Sequence, residues 1–181
     1  MTLRYLFLPV VLLSMQALAS GDHAHNDMSK AISEYRQLTT TEQAVQAVLD
    51  TYAQAMEEKS VAIMEQAVIV GDFSTIESGY PNWTWEDFRD NHLAAEMQTF
   101  GDVDYQIDLI AGETQGSLGF AVFRYTASGK VHGKTISISG LGTAVIEETT
   151  DGWRIHHLHT SAPRSQLEQA AQGTSHQQHA E

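Results

Sequence analysis

The 181-residue chain contains no cysteine. Disulfides and thiol chemistry are therefore excluded, and stability must come from a packed core. Positive charge is scarce as well: 10 Lys and Arg stand against 23 Asp and Glu, a formal net charge of -13. A surface this acidic repels phosphate backbones and anionic lipids, which makes nucleic acid and anionic membranes poor partners. No internal repeat is visible. Beyond residue 19 no apolar run reaches the roughly 20 residues that a spanning helix requires.

What is present begins with MTLRYLFLPVVLLSMQALAS. Arg4, an apolar run over residues 5–13 and the small-x-small signal Ala17-Leu18-Ala19 have the order of a secretory signal peptide covering residues 1–19. Its removal places the mature chain in the periplasm or outside the cell, with no membrane attachment. Arg4 is the only charged residue in that stretch, so cleavage moves the net charge from -13 to -14. Residues 20–38 read as a polar, His-containing leader, residues 39–164 as one folded domain, and residues 165–181 as a disordered tail with little apolar surface.

Within the domain, Thr39 with Glu42, or Thr40 with Gln43, has capping-box spacing. Val45, Val48, Leu49, Tyr52 and Met56 then fall on one helical stripe. Ser60 caps a second short helix, and FSTIES reads as a short strand before a break at residues 79–81. Thr84 caps a third helix with Glu86 and Asp87 in its first turn. Four long strands follow, with turns expected at residues 112–116, at Ser128-Gly129 and at Asp151-Gly152. Gly140 and Gly142 suggest a bulge or sharp bend inside the third of these strands. Helices followed by a curled antiparallel sheet define an α+β class.

Two stretches, WTWEDFRDNHLAAEMQTFGDVDY and GLGTAVIEETTDGWRIHHLHTSAP, carry a family resemblance. Together with the element order, they resemble the SnoaL-like (polyketide-cyclase-like) branch of the nuclear transport factor 2-like superfamily over about residues 38–164. The resemblance implies a cone-shaped, curved antiparallel sheet wrapped around three N-terminal helices, a deep pocket at its open end, and dimerisation through the outer sheet face. It leaves function open, because the fold hosts isomerases, cyclases, hydratases and many non-enzymes. The position similar to the general-base Asp of the superfamily's ketosteroid isomerases looks like Ser78, to within one residue, and a hydroxyl cannot serve as that base. Tyr52 resembles those enzymes' oxyanion-hole tyrosine.

The closing strand, GWRIHHLHTS, holds three imidazoles. Strict alternation puts Trp153, Ile155, His157, His159 and Ser161 on one face and His156 on the other. With Trp153 and Ile155 buried, His157 and His159 point into the pocket as hydrogen-bonding groups or as general acid/base catalysts. Arg124 shares a face with Leu118, Phe120 and Val122, where it clamps an anionic ligand or forms an internal ion pair with a carboxylate such as Glu96 or Asp104. The expected pocket is thus lined by Tyr52, Trp83, Trp85, Phe88, His92, Arg124, His157 and His159, with His157, His159 and Tyr52 as candidate catalytic groups. No cofactor is implied and no metal site is expected; the weak metal candidates are the tail residues His23, His25, His176 and His179. Three functions stay open: a homodimeric binder of a small molecule, an enzyme using a pocket histidine, and an interaction module without catalysis.

Overall fold

The computed structural model describes residues 37–166. The expected signal peptide, most of the leader and tail, and His23, His25, His176 and His179 lie outside the described residues. Helix α1 (Thr40–Glu57) starts with the expected capping box. The Thr39 hydroxyl accepts from the Glu42 N–H at 3.2 Å, and the Glu42 carboxylate accepts from the Thr39 N–H at 3.0 Å. Lys59, at φ 51°, ends α1 with a left-handed turn, and the Ser60 N–H returns to the Ala55 carbonyl. Ser60 caps α2 (Val61–Ala67) through the Ile63 N–H.

Strand β1 (Ser74–Glu77) pairs with β2 (Tyr80–Asn82), which the sequence pattern had reduced to a chain break. Ser78 and Gly79 both take positive φ, so the connection is a two-residue hairpin turn. Helix α3 (residues 85–99) has three consecutive parts. Trp85–Asp87 and Ala94–Thr99 are α-helical, whereas Phe88–Leu93 is π-helical and the Ala94 N–H reaches back to the Arg89 carbonyl. Thr84 caps α3 as expected.

Strands β3 (Gly101–Gln115), β4 (Leu118–Val131), β5 (Lys134–Thr149) and β6 (Gly152–Ser161) complete a six-stranded curved, unclosed sheet in the order β2-β1-β6-β5-β4-β3. Among the described strands only the β1–β6 pair is parallel, and an isolated parallel bridge joins Val68 to Ile155 of β6. The expected turn at Ser128-Gly129 lies instead at His132-Gly133, where both residues take positive φ and β4 has run on to Val131.

Gly140 and Gly142 mark no bulge, because β5 keeps an unbroken register with β4 through both. They make room for aromatic rings. A Cβ on Gly142 would lie 2.2 Å from the Phe123 ring, and one on Gly140 would lie 2.7 Å from the Tyr125 ring and 2.0 Å from the Ser161 carbonyl oxygen. Phe123 and Tyr125 are the direct cross-strand partners of these glycines. The register shifts fall elsewhere, between Gly101 and Asp104 and around Ile110 in β3, and around His156 in β6.

Helix α1 packs its Val45, Leu49 and Tyr52 face into the core. It also covers the free edge of β3. The Gln46 side chain donates to the Ile107 carbonyl and accepts from the Leu109 N–H, both at 2.9 Å. Glu57 accepts from the Tyr105 N–H at 3.0 Å. One helix therefore supplies the hydrogen bonds that an edge strand otherwise offers to another chain.

Candidate active site: a tyrosine-walled cavity with an acidic floor

A cavity opens between α1, α3 and the inner face of β3, β4 and β5. Tyr52, Tyr105 and Tyr125 form one wall, and Met56, Met97, Phe100, Ile136 and Ile138 line the rest of its apolar surface. Tyr105 and Tyr125 stack with ring centroids 6.0 Å apart, and Tyr52 meets Tyr105 edge-on at 6.1 Å. Burial, and secondarily the nearby carboxylates, push the Tyr52 phenol well above its ordinary range, and burial pushes Tyr125 to about 12. These phenols therefore stay protonated at physiological pH and are available as hydrogen-bond donors.

The polar end of the cavity is formed by Glu77, the last residue of β1, and Glu96 on α3. His92 joins them. Its Nε2 lies 3.3 Å from Glu77 Oε2 and 3.5 Å from Glu96 Oε1. Its Nδ1 lies 3.0 Å from Asn82 Oδ1, and the Asn82 amide donates to Asp87 at 3.0 Å. Because that amide nitrogen is turned to Asp87, Asn82 presents oxygen to the imidazole and Nδ1 must carry a proton. Glu77 and then Glu96 raise the His92 pKa from 6.5 to about 10. Burial raises the pKa of Glu96 against the opposing pull of His92.

The local sequence explains the cluster. The tight turn at Ser78-Gly79 brings Asn82 back beside Glu77. Helical spacing of four sets His92 and Glu96 on one face, and the π-turn carries His92, a backbone irregularity that often marks functional positions.

The structure gathers only part of the site expected from sequence. Tyr52 lines the cavity, and His92 anchors its acidic end. Trp85 and Phe88 are buried with Phe73 in an aromatic core cluster and do not line the cavity. Trp83 is 66% exposed. Arg124 pairs across from Asp108 and Leu141 on the opposite sheet face from Phe123 and Tyr125.

His157 and His159 also leave the expected pocket. Ile146 faces Ile155 and Val145 faces His157, so His156 is an extra residue in the ladder. Alternation therefore resets after Ile155: Leu158 and Thr160 are buried, while His157 and His159 join the outer face. His157 Nδ1 lies 2.9 Å from the Ser74 hydroxyl, and desolvation lowers its pKa. His156 lies near Asp72 at 3.2 Å and Glu147 at 3.4 Å.

The sequence reading missed Glu77, Tyr105 and Tyr125, and named Glu96 only as an ion-pair partner for Arg124 rather than beside His92. Glu77 stands one residue before Ser78, within the register tolerance already allowed for a carboxylate at that position. Glu96 carried a direct signal, one helical turn after His92.

A helix-packed, curved six-stranded sheet enclosing such a cavity defines the nuclear transport factor 2-like class. The chain belongs to the SnoaL-like domain family, whose sequence model matches residues 45–165. Among solved structures, it is similar to a nuclear transport factor 2-like superfamily protein from Salmonella enterica serovar Typhimurium, with 21% identity and a TM-score of 0.64. That alignment covers 68% of this chain and 92% of the other. A protein from Kribbella flavida aligns with 13% identity and a TM-score of 0.60, over 72% of this chain and 97% of its own. A hexachlorocyclohexane dehydrochlorinase aligns with 13% identity and a TM-score of 0.56, over 75% and 88%. No curated protein matches the sequence.

Proposed function

We propose that the chain binds a small molecule in the tyrosine-walled cavity, apolar in its body and carrying a hydroxyl or amino group at one end. The carrying observation is the pair of carboxylates, Glu77 and Glu96, at one end of a mainly apolar and aromatic wall that also includes Lys59, Ser78 and Ser128. An apolar body fits the Met, Phe and Ile surface, and the carboxylates accept from the donor end. The test is fluorescence titration of 2-naphthol into EDTA-treated protein, with native mass spectrometry of chain purified from its own host. Saturable binding that is lost in Ala127→Trp, which fills the cavity, supports the reading. Equal behaviour of the wild type and the filled variant, with no co-purified small molecule, overturns it.

A second reading is catalytic. Tyr52 lines the same cavity as both carboxylates and stays protonated. A carboxylate that removes a proton from a bound carbonyl compound, with Tyr52 donating to the developing oxyanion, is the reaction this arrangement supports. It replaces His157 and His159 as the catalytic candidates.

The outer sheet face supports a homodimer. Leu118, Phe120, Leu141 and Val145 there are 52%, 43%, 53% and 40% exposed, and Phe120 pairs directly with Val145. A twofold mate covering this face would also cover His157 and His159. Export rests on Arg4, the apolar run and Ala17-x-Ala19, and would place the dimer in the periplasm or medium. Among the described residues no helix is long and apolar enough to cross a membrane.

A further inference from the structure

We propose that Glu77, His92 and Glu96 form a binding site for one divalent transition-metal ion of the zinc, cobalt, manganese or iron(II) class. The site goes beyond the binding function above, since it needs only these three side chains and no organic ligand.

The geometry carries the inference. One ligand atom from each residue lies within 4.8 Å of the others. The imidazole is oriented as a ligand: Asn82 holds Nδ1, Asp87 holds Asn82, and Nε2 is left facing two carboxylates. An outer partner that fixes tautomer and ring angle is the usual companion of a metal-bound histidine.

The separations fit a metal better than a proton. A single N–H on Nε2 can point at only one carboxylate, and charge-assisted hydrogen bonds run about 2.7–2.9 Å. The observed 3.3 and 3.5 Å are longer than that. They match the spacing between two ligands of a tetrahedral ion with bonds of about 2.0–2.1 Å, which is about 3.3–3.4 Å.

Charge agrees with geometry. With the imidazole protonated, two carboxylates and one cation leave the half-buried cluster at a net negative charge. A divalent ion with neutral His92 and both carboxylates brings it to zero. One imidazole with two carboxylates suits borderline ions and neither soft copper(I) nor calcium, which takes oxygen ligands alone. Three protein ligands leave a coordination position open, as in catalytic metal sites, and Glu77 and Glu96 line the cavity it would face.

The test uses the full chain, stripped with EDTA and desalted, with Co²⁺ alone as probe. Visible absorption and calorimetry should report one tightly bound ion per chain at this site and release of about one proton. Glu77→Gln and Glu96→Gln keep side-chain size and should each weaken binding at least about 100-fold, and Asn82→Ala about 10–100-fold. The tail histidines remain in every variant. Unchanged binding in a folded Glu77→Gln/Glu96→Gln double variant would overturn the proposal, as would wild-type protein without cobalt absorption. A measurement free of variants is broadening of proton resonances by Mn²⁺. The Tyr52 and Tyr125 rings should broaden at substoichiometric metal, and broadening confined to tail histidines counts against the site. The 2-naphthol titration is run in EDTA, so either proposal can fail while the other stands.

Discussion

Asn82 holds His92 by one ring nitrogen, Nδ1, at 3.0 Å, and so turns the other, Nε2, towards Glu77 and Glu96. The imidazole is fixed from behind by β2 and read from the front by β1 and α3.

Stability should consequently depend on pH through His92. Its folded-state pKa is raised from 6.5 to about 10 by Glu77 and Glu96, while Asn82 and Asp87 hold the opposite edge. A raised pKa stabilises the fold through the bound proton. That contribution is complete below about pH 6.5, declines above it and is lost as pH passes about 10. Melting temperatures of metal-free protein should fall across this window, and the slope should flatten in His92→Asn. Parallel curves for the two proteins would contradict the assignment.

Gln46→Leu should destabilise the fold by about 1–3 kcal/mol, since it strips partners from the Leu109 N–H and the Ile107 carbonyl at the β3 edge. Urea unfolding measures the loss. Amide exchange at Leu109 should accelerate more than at residues paired within the sheet. A change under about 0.5 kcal/mol would mean that water replaces the glutamine at no cost.

Gly142→Ala should cost about 1–3 kcal/mol through overpacking against the fully buried Phe123. Gly71→Ala, where an added Cβ meets nothing within 4 Å, is the control and should stay within about 0.5 kcal/mol. Chemical denaturation of both variants side by side checks the contrast.

Leu141→Glu combined with Phe120→Glu should convert the proposed dimer to monomer without loss of fold, because both side chains are on the outer face and substantially exposed. Light scattering against concentration is the measurement. A wild-type chain that remains monomeric at every concentration would remove the interface.

Much of the fold was legible because its signals are local. Thr39, Ser60 and Thr84 announce helix starts by side-chain chemistry that acts within three residues. The Val45, Leu49, Tyr52 stripe is a period that burial enforces. The site was less legible because its decisive features are not periodic. The extra residue at His156 changes which face the later histidines occupy, and strict alternation assigns them to the wrong one. Trp85 and Phe88 were identified correctly as apolar, but pattern alone does not separate a core wall from a cavity wall. Glu77 and Glu96 look like ordinary surface carboxylates until the β1–β2 turn and α3 bring them to His92.

The irregularity at His156 also makes one position in β6 dispensable. Ile155 and His157 already occupy successive rungs opposite Ile146 and Val145, so His156 adds contour without adding a rung. A chain shortened by that single residue could keep every cross-strand partner from Trp153 to Ser161, with its sheet less coiled at that point. Deleting Leu158 would instead bring an imidazole, that of His157 or His159, into its inward place opposite Ala144. His156 is thus the slack in the strand: sequence length can vary there while the inward-facing residues keep their places.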